Sequence, residues 1–356
     1  MSPLGFALVG CGRIAKRHSE LLGRNRIPHA RLAAVCDINV SRAAAIGAAM
    51  NVPHYADMHD MMRSESIDAV VVLTESGLHA DHVVALAPYG KPIVVEKPMA
   101  LALSDADRMI LACDRARVKL FVVKQNRFNV PVVKLREALE AGRFGKIVMG
   151  TVRVRWSRSQ QYYDQDAWRG TWALDGGVLT NQASHHVDLL EWMLGKPVSV
   201  FAMAKTALVN IEAEDTAAVL VRFAGGAFGI IEATTAVRPH DLEGSISLMG
   251  EGGTVVIEGF AVNRLKTWEF VEPVAGDQDV LANYSVNPPD VYGFGHQAYY
   301  EHVVDCILNN THQLVDGLEG RKSLELISAI YESIETRREV TLHFEPKLCR
   351  LGRRKE

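Results

Sequence analysis

The chain has 356 residues, 48% of them hydrophobic and 23% charged, which is too long for one ordinary core and too well mixed for general disorder, so two domains are expected. A formal charge of -3 argues against nucleic acid as a partner, because binding a phosphate backbone needs a net basic surface. The five cysteines, Cys11, Cys36, Cys113, Cys306 and Cys349, are odd in number and scattered without a C-x-x-C pair, which excludes a disulfide framework and fits reduced thiols.

The opening Met-Ser-Pro-Leu-Gly-Phe lacks the basic region and long apolar core of a signal peptide, and the longest apolar runs are of strand length; a soluble, cytoplasmic protein with no membrane partner is expected. From Gly5 onward, short apolar runs at 6–9, 32–36, 69–73, 93–95 and 120–123 alternate with helix-like stretches at 14–22, 41–50, 58–63, 79–89 and 104–116. Continuous apolar runs of that length suit parallel strands covered on both faces, and repeated β-α units wind into a right-handed, doubly wound sheet. After Lys124 the texture changes. A helix at 131–141 precedes segments at 153–156, 217–223, 227–233 and 254–258 that alternate apolar and polar residues, with turns at Gly225-Gly226 and 250–253. Period two predicts a mainly antiparallel, open sheet with one buried face. Helices are predicted at 183–194, 297–308 and 318–337. The expected division is therefore an α/β dinucleotide domain over 1–123, an α/β domain over 124–346 and a basic tail over 347–356.

Leu8-Val9-Gly10-Cys11-Gly12-Arg13-Ile14-Ala15 is a strand that runs through G-x-G-x-x-A into a helix. Gly10 permits the tight turn, Gly12 lets a pyrophosphate approach the backbone, and Ala15 is small enough for the helix to pack on the sheet. The first helical residues, Arg13 and Ile14, present the positive end of the helix to that phosphate. Placed in the first strand-turn-helix of an α/β domain, this is a Rossmann fingerprint. Asp37 ends the second predicted strand, about 20 residues on, where a carboxylate accepts hydrogen bonds from the adenosine ribose and repels a 2′-phosphate. NAD is expected over NADP, although Arg42 nearby offers a guanidinium to a phosphate.

A later unit reads Lys91-Pro92-Ile93-Val94-Val95-Glu96-Lys97-Pro98, so Glu96 and Lys97 sit at the carboxyl end of a buried strand, the edge at which open α/β sheets bind ligands. Together with the opening glycines, this Glu-Lys-Pro resembles the glucose-fructose oxidoreductase and inositol dehydrogenase (Gfo/Idh/MocA) superfamily. The resemblance implies that Lys97 reaches the reacting sugar hydroxyl and that the proline is often cis. A second signature of the family is similar to Gly176-Gly177-Val178-Leu179-Thr180-Asn181-Gln182-Ala183-Ser184-His185-His186-Val187-Asp188. His185 and Asp188 fall on its matching positions and share a helix face at i, i+3, whereas Asn181 replaces the usual Asp. An amide cannot take a proton, so acid–base work rests on Lys97 and His185. An imidazole, with an ordinary pKa of about 6.5, can hold a hydroxyl proton near neutral pH. Which of the two is the base is left open by the sequence. His186, offset by about a hundred degrees on the helix, packs or faces solvent. Without a third ligand at suitable spacing, no metal is expected.

Asn-Gln-Ala-Ser-His-x-Val-Asp resembles the subgroup that oxidises UDP-N-acetylglucosaminuronic acid at the sugar 3-position. Lys124-Gln125-Asn126-Arg127-Phe128-Asn129, Tyr162-Tyr163, Trp168-Arg169-Gly170-Thr171-Trp172, Glu214-Asp215-Thr216 and Val291-Tyr292-Gly293-Phe294-Gly295-His296 carry the same likeness. It implies that Thr74, Ser76, His79, Glu96, Lys97, Gln125, Trp168 and Arg169 join Gly10, Gly12, Arg13, Ile14 and Asp37 on the cofactor. For His79, which begins a helix, capping is an equal alternative. It further implies that Lys97, Lys124, Asn126, Arg127, Arg158, Tyr162, Tyr163, Asn181, Ser184 and His185 face a UDP-linked N-acetylated sugar acid. Arginine forks suit phosphates and carboxylates, yet Arg153 and Arg155 alternate along a strand and can be its solvated face. By the same resemblance the protein is a homotetramer serving bacterial surface-polysaccharide assembly. A free-sugar or cyclitol dehydrogenase using the same Lys97 and His185, and a non-catalytic NAD sensor, are the competing readings.

Overall fold

The computed structural model describes residues 2–285, 294–342 and 345–353. In chain order these form β1 (Leu4–Val9), α1 (Arg13–Gly23), β2 (Ala30–Cys36), α2 (Val40–Met50), β3 (His54–Tyr55), α3 (Met58–Ser64), β4 (Ala69–Val72), α4 (His79–Leu86), β5 (Ile93–Val95), α5 (Leu103–Ala116) and β6 (Leu120–Val122). There follow α6 (Val130–Glu140), β7 (Ile147–Arg155), α7 (Gln160–Asp164), α8 (Ser184–Leu194), β8 (Pro197–Lys205), β9 (Thr216–Phe223), β10 (Phe228–Thr234), β11 (Glu243–Gly250), β12 (Gly253–Glu258), β13 (Arg264–Phe270), α9 (Asp277–Asn283), α10 (Gly295–Leu308), α11 (Gly317–Thr336) and β14 (Val340–Thr341). Of the family-like segment at 291–296, Val291, Tyr292 and Gly293 lie outside the described residues, as do residues 354–356 of the tail. Among the described residues no helix is long and apolar enough to cross a membrane.

Two compact units emerge, one of residues 1–123 with 297–321, the other of 124–296 with 322–356. The first holds a six-stranded sheet in the order β3-β2-β1-β4-β5-β6, parallel throughout. Its inner strands are buried on both faces, Ala69–Val72 and Ile93–Val95 at every residue, as continuous Val/Ile runs require. The strand order reverses between β1 and β4, which makes the carboxyl ends of these two strands the natural ligand crevice.

The second unit is built on an eight-stranded sheet, β13-β12-β11-β7-β10-β9-β8-β14, antiparallel except where β10 runs beside β7. Along β9 every second residue from Ala217 is buried, the alternation its sequence predicts. Helix α8 lies on the covered face. Gly150 and Gly229 are register partners on β7 and β10, and a Cβ on either would come within 2.9–3.1 Å of Leu190 or Leu194 of that helix. The glycine pair therefore admits α8 to close contact, and ten of its eleven residues are buried. Strands β8, β11 and β13 have no counterpart among the segments predicted from periodicity. Glu243–Gly250 contains two glycines and two serines, and β13 is an edge strand with few apolar residues, so neither carries a strong hydrophobic signal.

Candidate active site

In the first unit the glycine loop closes β1 onto α1. Gly10 has φ +100, and a Cβ there would lie 2.7 Å from the main chain of Leu73, so only glycine suits the position. Gly12 differs. A Cβ on it would meet nothing within 4 Å, which leaves the space in front of the backbone free, and no side chain caps the helix start at Gly12. Open space beside an uncapped N-terminus is what a pyrophosphate uses. The loop is tied to the end of β2, because the Cys11 amide donates to Asp37 Oδ2 at 2.7 Å, while Asp37 Oδ1 accepts from the Asn39 amide at 2.7 Å. A fixed carboxylate next to the loop fits an unphosphorylated ribose. These residues fit NAD. Arg13 is exposed and Ile14 half-buried at the first turn. Arg42 is an exposed residue of α2 whose amide bonds the Asn39 cap.

Strand β5 delivers Glu96 to a buried position and Lys97 to a half-buried one, and the Lys97-Pro98 peptide is cis. Glu96 Oε2 accepts from the Lys97 amide at 2.8 Å and Oε1 stands 3.1 Å from His18 Nε2. His79 is buried, with Nδ1 2.8 Å from the Pro98 carbonyl and Nε2 3.0 Å from that of Thr74. Burial pulls its pKa below the ordinary value, against the pull of the two carbonyls. Thr74 Oγ1 meets His82 Nδ1 at 2.9 Å, and Ser76 is buried in the short turn before α4.

In the second unit a single 3-10 turn, Gln125–Phe128, faces α8. The Arg127 fork grips Asp188, with Nε to Oδ2 and Nη2 to Oδ1 both at 2.8 Å, and lies over the Trp192 ring. Lys124 Nζ is 3.4 Å from Asp188 Oδ1 and donates to Ser323 Oγ at 2.7 Å. All three charged groups are buried. Burial alone would raise the Asp188 pKa, but the two cations outweigh it and hold the carboxyl at about 2; burial lowers that of Lys124, which Asp188 resists. One helical turn earlier, His185 Nε2 stands 2.9 Å from Gln125 Nε2. The amide thus fixes the ring's orientation. Asn126 is buried in the same turn, and His186 packs edge-on to Trp156.

The loop before α8 is internally braced. Asn181 Nδ2 donates to Asp175, whose other oxygen accepts from the Gly170 amide at 2.7 Å, and Ser184 Oγ bonds the Asn181 carbonyl. Beneath it Glu214 Oε1 accepts from the Leu179 amide at 3.0 Å and from Tyr331 Oη at 2.9 Å. Burial pushes the Glu214 pKa up to about 7. Asp175 and Tyr331 have no motif signal that sequence reasoning could use, since each matters only through a partner distant in the chain or in the loop's conformation.

Arg158, Tyr162, Trp168 and Arg169 are brought together: the Arg169 guanidinium lies over the rings of Tyr162 and Trp168 and donates to Tyr162 Oη at 2.9 Å, while Arg158 lies over Tyr162 and bonds Asp241. Tyr163 is buried edge-on to the Tyr162 ring, its hydroxyl 3.1 Å from Thr235 Oγ1. Arg153 and Arg155 pair with Glu232 and Glu243 on the sheet.

A glycine loop between the first strand and helix of a parallel, doubly wound sheet, with a fixed carboxylate at the end of the second strand, is the architecture of an NAD-binding oxidoreductase domain. The chain belongs to the Gfo/Idh/MocA oxidoreductase family: residues 4–124 match its NAD-binding Rossmann fold and residues 136–342 its C-terminal alpha/beta domain. It is an NAD-dependent sugar dehydrogenase. Among solved structures it resembles the WlbA dehydrogenase from Bordetella pertussis in complex with NADH and UDP-GlcNAcA, with 43% identity, coverage of 97% of this chain and 99% of that one, and a TM-score of 0.92. The WlbA dehydrogenase from Chromobacterium violaceum, in complex with the same two molecules, is 41% identical over 97% of both chains with a TM-score of 0.90. A myo-inositol 2-dehydrogenase of Thermotoga maritima is 29% identical over 95% of this chain and 98% of its own.

Proposed function

We propose that the enzyme oxidises the sugar 3-hydroxyl of UDP-N-acetylglucosaminuronic acid to the 3-keto sugar, in a cytoplasmic route to bacterial surface polysaccharide. The observation that carries this is the 43% identity, sustained over nearly the whole chain, to an enzyme crystallised with UDP-GlcNAcA and NADH. Bound NAD supplies the hydride acceptor. Lys97 and His185 act on the substrate hydroxyl: the ammonium favours loss of its proton, and the imidazole, oriented by Gln125, takes it up. Asn181 binds substrate without exchanging a proton. Tyr162, Arg158 and Ser184 contribute to the sugar nucleotide, and Trp168 and Arg169 to the cofactor. Lys124 and Arg127 support the substrate side through Asp188.

The exposed face of the eight-stranded sheet carries Phe201, Met203, Leu220 and Phe228, 41–69% exposed. Apolar residues in such a patch favour association of copies, and a homotetramer built through this face is the proposed assembly. The competing substrate class, a free sugar or cyclitol, is supported by the inositol dehydrogenase likeness. The test is NADH formation with UDP-N-acetylglucosaminuronic acid, UDP-N-acetylglucosamine and myo-inositol as separate substrates. Turnover of the nucleotide-linked acid, with at least a hundredfold lower kcat/KM on the other two, is expected; preference for myo-inositol would overturn the proposal.

A further inference from the structure

A carboxylate that is 6% exposed at the end of an apolar strand is costly unless hydrogen-bond donors serve its oxygens. Glu96 is served on both: Oε2 by the Lys97 amide and Oε1 by His18 Nε2. The chain of contacts continues, since His18 Nδ1 is 2.5 Å from the Tyr300 hydroxyl. An ionised carboxylate only accepts, so the proton of His18 sits on Nε2; Nδ1 is then the acceptor and the tyrosine hydroxyl the donor. Burial, with Glu96 adding to it, raises the Tyr300 pKa well above the ordinary value and keeps that hydroxyl protonated. With that tautomer these two bonds run in one direction, from Tyr300 through His18 to Glu96. Tyr300 and His18 have no exposed surface, and the Tyr300 ring is edge-on to both His18 and Phe6. On the far side of Lys97, His79 faces the Pro98 carbonyl at 2.8 Å. Residues 96 and 98 are each held by a buried imidazole, and Lys97 projects from between them.

We propose that Tyr300 and His18 are positioning residues for Lys97: their hydroxyl–imidazole–carboxylate chain fixes the main chain from which the reacting lysine extends. This rests on the role given to Lys97 above. Tyr300→Phe removes one hydroxyl and keeps the ring on Phe6. In the full-length protein, its expected effects are an approximately tenfold faster hydrogen exchange of the Lys97 amide, with other amides of β1, β4 and β5 unchanged, and an approximately tenfold loss of kcat on UDP-N-acetylglucosaminuronic acid, with KM and NADH binding within about twofold. His18→Asn, which breaks the link to Glu96, is expected to give the same pattern and serves if Tyr300→Phe fails to fold. Unchanged exchange at Lys97, exchange accelerated throughout the first unit, or unchanged kcat overturns the inference. Lys97→Ala separates the two ideas: wild-type turnover in that variant removes the catalytic role of the lysine whatever Tyr300→Phe shows, whereas its loss by about 10²–10⁴ leaves the exchange and kcat results to decide the relay alone.

Discussion

Replacing Glu214 by Gln should stabilise the protein at alkaline pH and leave it nearly unaltered below pH 4.5. The carboxyl is buried, Oε1 accepts two hydrogen bonds, and Oε2 has no partner among the described residues. Its surroundings hold the folded-state pKa at about 7 against an ordinary 4.5, with burial as the main cause and Asp175 adding to it. Below pH 4.5 both the folded and the unfolded chain carry the proton, so the group contributes no pH dependence. Between 4.5 and 7 the unfolded chain ionises first and stability falls as pH rises. Above 7 the full penalty applies, about 3 kcal/mol. Glutamine keeps the acceptor oxygen, never ionises and so escapes that penalty. In a unit of this size about 3 kcal/mol corresponds to roughly 6–12 °C in Tm. Thermal melting of the wild type and Glu214→Gln at pH 4 and pH 8 reads the effect directly: nearly coincident curves at pH 4 and a variant more stable at pH 8 are expected. Parallel pH profiles for the two proteins would refute the assignment of a buried, protonated Glu214.

Asp188→Asn leaves the buried Arg127 and Lys124 without their counter-charge, at a cost of about 3–5 kcal/mol at pH 7; because the wild-type carboxyl is held at about 2, its stabilisation is present above the ordinary value of 3.8 and is lost as pH falls through about 2, so urea unfolding should show the gap closing toward acid. Asn181→Asp sets a second carboxylate against Asp175, and one of the pair must stay protonated; kcat should fall on the order of tenfold at pH 8 and recover as the pH is lowered, a profile opposite to that of an enzyme gaining a useful base. Asp37→Ser removes the anion beside the glycine loop and should raise kcat/KM for NADP about tenfold while lowering it for NAD, measured by initial rates with each cofactor.

The first unit was legible because its sequence states its environment twice. Val70, Val71, Val94 and Val95 have no exposed surface, and each strand is followed by a helix, so continuous apolar runs alternating with amphipathic ones leave one architecture. In the second sheet the signal is uneven. Thr216–Phe223 and Phe228–Thr234 lie inside the sheet and alternate cleanly, but β11 keeps Gly244 because a Cβ there would meet the Phe260 carbonyl at 2.5 Å, and that accommodation erases the hydrophobic pattern. The site divides in the same way. Gly10, Gly12, Asp37, Glu96 and Lys97 follow from local motifs. His18 and Tyr300, 282 positions apart, touch only after α10 returns to the first unit, and nothing periodic or compositional marks either.

The segment from Lys124 to Arg127 makes internal contacts with α8. Lys124 precedes the 3-10 turn and Arg127 lies within it, and both side chains reach the same carboxylate while Gln125 reaches the imidazole. On an α-helix, residues i and i+3 share a face, so His185 and Asp188 are presented together. The two spacings match: the cations at 124 and 127 both reach Asp188, and the amide at 125 reaches His185. A charge-assisted fork is directional, and it clamps α8 in rotation while the Gln125 amide contacts the imidazole. Lysine at 127 could neutralise Asp188 but not hold both of its oxygens, and an apolar residue at 125 would remove the amide contact to the His185 ring. The Lys-Gln-x-Arg turn and the Ser-His-x-x-Asp helix are thus complementary in spacing, and their contacts hold Asp188 and the His185 ring against that turn.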